Sequence, residues 1–257
     1  MSLSLPAAGP RALADVVVLA KEIAGSRLRI RPGCAGRTVV GDVARIAEAS
    51  QQAGVPIEVM TFIGSSPIRR YVEGWSVDLV RRHTVEVIRF ARQEGLAVTY
   101  VTEDTTRTPP DVLAELFRAA IGEGAARLCL CDTVGHATPD GAANLVRFTR
   151  AVILGAGADV GIDWHGHEDR GLSLANAIAA MEAGADRIHG CVLGVGERVG
   201  NTPLELVLQN LELDGRLDGR DTTRLPELCR LVSEAMGLGR SAASGVARRP
   251  VEAPARA

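Results

Sequence analysis

Short apolar runs alternate with amphipathic segments at a spacing of roughly 30 residues, the length of one strand–helix–strand unit. This alternation constrains the fold more than any other feature of the chain. The runs are 27–32 (RLRIRP), 56–63 (PIEVMTFI), 96–104 (LAVTYVTED), 126–135 (ARLCLCDTVG), 158–167 (ADVGIDWHGH) and 186–196 (DRIHGCVLGVG). Most carry few charges before their last residues, as expected of parallel strands covered by helices on their outer side. The intervening segments carry helix signals. Thr138 and Pro139 are placed as N-cap and first helical residue, the TPPD stretch at 108–111 repeats the device, and LSLANAIAAMEAGA ends at Gly184.

Such units build either a doubly wound sheet or a (β/α)8 barrel. No G-x-G-x-x-G follows the first run, and polar residues gather where the runs end: Glu103 and Asp104, Asp132 and Thr133, His165 and His167, then Glu197 and Asn201. A barrel brings all of those ends to one mouth, whereas a doubly wound sheet strings them along a line. The expected fold is therefore a (β/α)8 TIM-type barrel. With the N-terminal MSLSL counted as a strand remnant it has about seven strands and is incomplete. The expected domain spans 1–236, followed by a flexible Ala-, Arg- and Pro-rich tail over 237–257.

A net charge of −2 and 3% aromatic residues give neither a basic surface nor a stacking platform, so a nucleic-acid partner is not expected. No apolar run reaches the length of a membrane span and no basic segment precedes the apolar start, so a cytoplasmic protein is expected. The five cysteines are odd in number and scattered, and read as free thiols. Cys129 and Cys131, two apart on a buried run, read as small core residues rather than metal ligands. His83 and His189 read as structural.

His165 and His167 are two apart on a strand, so both point to the same face and can reach one divalent ion. Two polar residues that merely end a strand are the alternative. The acidic pair after them and the polar strand ends facing them favour ligands, with Asn201 as a further candidate. Glu103 is placed as a proton-handling group at the mouth, or as part of an acidic cluster at a helix start. Thr133 and adjacent amides can hold a substrate carboxylate, or can simply close the strand.

The stretch from IDWHGHEDRG to GVGERVGNTPLE resembles the H-x-H-N-D…G-x-G-E-R-x-G-N signature of the 2-isopropylmalate synthase and homocitrate synthase family. VTEDTTRTPP and LCDTVGHATPDG resemble two further motifs of these metal-dependent, Claisen-condensing TIM barrels. The resemblance covers roughly residues 5–235. It implies condensation of acetyl-CoA, as co-substrate, with a 2-oxo acid such as 2-oxoisovalerate. The metal would be Mg, Mn or Zn, with His165 and His167 as ligands and Asn201 at or beside it. Glu103 would assist proton transfer and Thr133 would contact the 2-oxo acid. It places Glu197 and Arg198 on the acyl-CoA side of the mouth or in a structural turn, and implies a homodimer. A carbon–carbon lyase of the same superfamily and a non-catalytic barrel that pairs with a complete relative are the rival readings.

Three departures from the family pattern stand out. Glu168 occupies the place of the motif's Asn. The 257 residues hold neither the family's opening acidic–arginine strand motif nor a histidine after His189. Little or no synthase activity is therefore expected of the chain alone.

Overall fold

The computed structural model describes residues 1–217 and 219–238. The expected tail over 237–257 lies almost wholly outside the described residues. Six parallel strands form one sheet in sequential order: β1 (Gly33–Arg37), β2 (Glu58–Gly64), β3 (Val98–Glu103), β4 (Arg127–Asp132), β5 (Gly161–Gly166) and β6 (Arg187–His189). Each crossover carries at least one helix: α2 (Val40–Ala53), α3 (Pro67–Glu73) with α4 (Val77–Gln93), α5 (Pro110–Gly122), α6 (Pro139–Gly155) and α7 (Ser173–Glu182). α1 (Pro10–Gly25) precedes β1, and α8 (Leu204–Leu213) and α9 (Leu225–Ala235) follow β6. The sheet curls into part of a (β/α)8 barrel, an incomplete TIM-type fold.

Among the described residues six strands stand where about seven were expected, because MSLSL is reduced to a parallel bridge. Ser2 pairs with Gly33, with Leu3 N donating to Gly33 O at 2.8 Å and Gly33 N to Met1 O at 2.9 Å. The run 27–32 is not a strand. Its alternating Arg and Leu/Ile imitate a half-buried strand, but Leu28 and Ile30 are 46% and 37% exposed. The strand begins at Gly33, where GCAGR has small residues and no periodic signal. Its register comes from backbone pairing with β2, Gly33 opposite Glu58 through Arg37 opposite Phe62. The run 186–196 shrinks to a three-residue strand followed by a turn at Val192–Gly194.

The helix signals hold where a side chain caps. Thr138 Oγ1 accepts from Gly141 N at the start of α6, with Pro139 in the first turn. At α5 the cap residue is Pro109, and Thr108 instead hydrogen-bonds Asp104 O and Ser65 Oγ. The main core lies between sheet and helices. Ile162 and Trp164 on β5, Leu128 and Leu130 on β4, and Val98 and Tyr100 on β3 point outward into it and are fully buried. Burying a side chain of this size stabilises by about 1.5–3 kcal/mol. The opposite set of strand side chains faces the concave interior and mixes charged residues such as Glu58, Arg127, Asp163 and Arg187 with Met60, Phe62 and Val101.

Candidate functional site

Strand alternation carries Asp163 and His165 into the concave interior, with His167 one residue beyond β5. His167 is buried and forms an antiparallel bridge with Asn201. The two imidazoles converge, His165 Nε2 lying 3.2 Å from His167 Nε2 with the rings edge to face. Burial, then the neighbouring His189 and His167, hold His165 neutral by pushing it down to about 3. His167 Nδ1 is 3.2 Å from Gly200 O. A carbonyl can only accept, so Nδ1 carries a hydrogen and the ring is turned to present Nε2 toward His165.

Asn201 reaches the same place from the loop after β6. Its amide nitrogen donates to Val195 O at 2.9 Å and approaches Cys191 Sγ at 3.4 Å. Gly196 makes room for it, since a Cβ there would meet Asn201 Nδ2 at 2.0 Å. With the nitrogen fixed, Asn201 Oδ1 is buried without a hydrogen-bond partner. Two convergent imidazole nitrogens and an unpartnered amide oxygen are the donor set that suits a divalent cation, and carboxylate- or carbonyl-bound tautomers of this kind are usual behind histidine ligands.

Glu103 ends β3 and is partly buried. Burial pushes its carboxyl up, although Arg69 Nε lies 3.1 Å away and works in the opposite direction. Asp104 is the buried anchor of the turn that follows. It has φ 63°, pairs with Arg107, and donates its N–H to Thr133 Oγ1 at 2.7 Å. Thr133 thus accepts from the β3 turn and keeps its own hydroxyl hydrogen for another acceptor. Asp132 is a turn former, accepting from His136 N and Ala137 N, both at 3.1 Å. Arg198 clamps the glycine-rich loop to the other strand ends, bonding Asp169 at 2.8 and 2.9 Å and Thr133 O at 2.7 Å. Glu197 is exposed. The described strand ends therefore bring Glu103, Thr133, His165, His167 and Asn201 to one rim. Arg69, from the helix after β2, joins them; its only sequence signal was its place just beyond a strand end.

Beneath the rim lies a charged layer that sequence reading did not find. Arg187 bonds Glu58 and Asp163, Arg127 bonds Asp163, and His189 Nε2 meets Asp163 Oδ2 at 3.0 Å. Cys129 and Cys131 are buried, as expected, and all five cysteines are free. Among the described residues no helix is long and apolar enough to cross a membrane.

An incomplete parallel barrel with a two-histidine rim defines an α/β protein of the TIM-barrel class. The chain belongs to the HMGL-like family, whose pattern matches residues 1–232. It is 35% identical over 204 residues to the 2-isopropylmalate synthase of Halothermothrix orenii, covering 77% of this chain and 39% of that one. Its identity to a homocitrate synthase of Methanosarcina mazei is 34% over 231 residues, 89% of this chain and 55% of the relative. The chain thus spans about half the length, or less, of these curated relatives. Among solved structures, an HMG-CoA lyase of Bacillus subtilis matches with TM-score 0.73 and 21% identity over 92% of this chain and 81% of that one, a likeness of fold.

Proposed function

We propose that this chain carries the rim of a 2-isopropylmalate synthase-like acyltransferase, which condenses acetyl-CoA with a 2-oxo acid of the 2-oxoisovalerate class. The observation that carries the reading is the convergent pair His165 Nε2 and His167 Nε2, 3.2 Å apart, with Asn201 bridged to His167 through the backbone and its Oδ1 buried and unpartnered. The synthases among its curated relatives support the condensing direction.

His165, His167 and Asn201 would hold the divalent cation, which when bound supplies Lewis acidity toward the keto oxygen of the 2-oxo acid. Glu103 would accept a proton from the acetyl-CoA methyl group. Partial burial raises its proton affinity toward the working range, and Arg69 keeps it from rising further. Thr133 would donate its free hydroxyl hydrogen to the substrate carboxylate, its oxygen being already pinned by Asp104 N. Arg198 would hold the loop bearing Asn201 against the ends of β4 and β5. The carbanion equivalent of acetyl-CoA would then attack the keto carbon, whose oxygen takes the π electron pair and then a proton, and water would cleave the thioester to a carboxylate and free CoA thiol.

The test is calorimetric titration of the purified chain with 2-oxoisovalerate, with and without Mn²⁺, alongside CoA release from acetyl-CoA. Binding that needs Mn²⁺ and is lost in His165→Ala and His167→Ala is expected. CoA release should be slight from these 257 residues alone, which hold no acidic–arginine strand motif. Metal-independent binding of the 2-oxo acid, or efficient cleavage of a 3-hydroxyacyl-CoA, would overturn the reading.

A further inference from the structure

We propose that Cys129 and His189, oriented by Asp163, form a second cation site in the barrel interior, one that takes a thiophilic divalent ion of the zinc class. The three residues come from adjacent strands β4, β5 and β6, and one ligand atom from each lies within 4.8 Å of the other two.

Cys129 Sγ is 3.8 Å from His189 Nδ1. Two such ligands on one tetrahedral zinc, at bond lengths of about 2.3 and 2.0–2.1 Å, stand about 3.6 Å apart. Cys131 Sγ is 3.9 Å from Cys129 Sγ, against about 3.8 Å for two thiolates on one ion. Little movement is thus needed to seat an ion beside Cys129, and a second thiol is at hand.

Asp163 completes the arrangement from behind. Its Oδ2 lies 3.0 Å from His189 Nε2, so that nitrogen keeps a hydrogen and Nδ1, which faces the thiol, is the nitrogen that would give up its proton to an ion. Arg127 and Arg187 bond the same carboxylate and fix its position. Carboxylate, imidazole and metal in this order form the common outer support of a histidine ligand.

Two features set this site apart from the rim. Its sulfur and imidazole donors favour Zn²⁺, Co²⁺ or Cd²⁺ over Mg²⁺, whereas the rim offers only nitrogen and oxygen. It also has an entry path, because the His189 side chain is 18% exposed although Asp163 is fully buried. The same triad is not a thiol nucleophile: Cys129 is only 1% exposed, which leaves a substrate carbon no approach.

Titrating the reduced full chain with Co²⁺ tests the proposal. A near-ultraviolet thiolate-to-cobalt band that saturates at one ion per chain is expected. It should vanish in Cys129→Ser, persist in Cys191→Ser, and persist in the His165→Ala/His167→Ala double variant. Cys129→Ser should keep the circular dichroism of the parent and its Mn²⁺ binding, which reports both folding and an intact rim. Absence of the band in the reduced parent chain overturns the proposal without any variant. So does a band that survives Cys129→Ser or disappears in Cys191→Ser, which would place the cobalt beside Asn201.

Discussion

Arg187 on β6 grips Glu58 on β2 across the concave interior, Nη1 to Oε2 at 2.8 Å and Nη2 to Oε1 at 2.7 Å, although three strands separate them in the sheet. A flat sheet could not make that contact, so the pair both reports the curl and holds it. Arg187 also bonds Thr99 and Asp163, the latter shared with Arg127 and His189.

Replacing Arg187 by Met is expected to cost about 3 kcal/mol at pH 7, because Glu58 loses its charge partner in the interior and Asp163 keeps only Arg127 and His189. Burial alone would raise both acids. Hydrogen bonds from Arg187 to Glu58, and from His189 and Arg187 to Asp163, bring them below their ordinary values instead. A depressed carboxylate contributes stability above its unfolded value, 4.5 for Glu58 and 3.8 for Asp163, and loses it as pH falls through the folded value. The gap between parent and variant in urea unfolding should therefore be widest near neutrality and narrow below pH 4.5. A constant gap from pH 7 to 3 contradicts this account.

Gly161→Ala is expected to destabilise by about 1–2 kcal/mol. A Cβ at Gly161 would meet Arg127 Nη1 at 2.4 Å and Cζ at 2.6 Å, and Arg127 could move only by leaving Asp163. The cost should shrink in an Arg127→Ala background. Equal costs in the two backgrounds, read by thermal unfolding, would show that the backbone rather than the guanidinium is what glycine accommodates.

Gly196→Ala should weaken Mn²⁺ binding by about 10- to 100-fold, the effect of disturbing a ligand's support. It removes the space that Asn201 Nδ2 occupies and so displaces the amide and its buried, unpartnered Oδ1. Asn201→Ala should match it, and Mn²⁺ titration monitored by electron paramagnetic resonance measures both. Unchanged affinity in both variants would exclude Asn201 from the cation's surroundings.

The rim was legible in the sequence for a simple reason. A strand repeats its facing every second residue, so His165 and His167 had to share a face, and the polar residues at the run ends had to share a mouth. Glu103, Thr133 and Asn201 follow from that geometry. The interior charges were not legible, because Glu58 and Arg187 are 129 positions apart and nothing local links them. His189 was correctly read as part of a strand, but Asp163 and Cys129 become its neighbours only through the registers of β4–β5 and β5–β6. The first strand was misplaced because RLRIRP shows the alternation that GCAGR lacks. Pairing with β2 and with residues 1–5, both distant in sequence, settles the strand at Gly33.

Glu168, which stands where the family motif has Asn, gives a last prediction. Its Oε2 is buried without a hydrogen-bond partner, and burial raises its carboxyl although the backbone at Ser173 pulls the other way. An acid whose folded value is raised destabilises the fold once ionised. The penalty is absent below its unfolded value of 4.5, grows as pH rises from there, and is complete above the folded value. Glu168→Gln keeps the shape and removes the charge. It should raise the Tm of the metal-free protein at pH 7 and leave it unchanged at pH 4. Differential scanning calorimetry at the two pH values checks this. A gain of equal size at both would trace the effect to packing rather than to the buried charge.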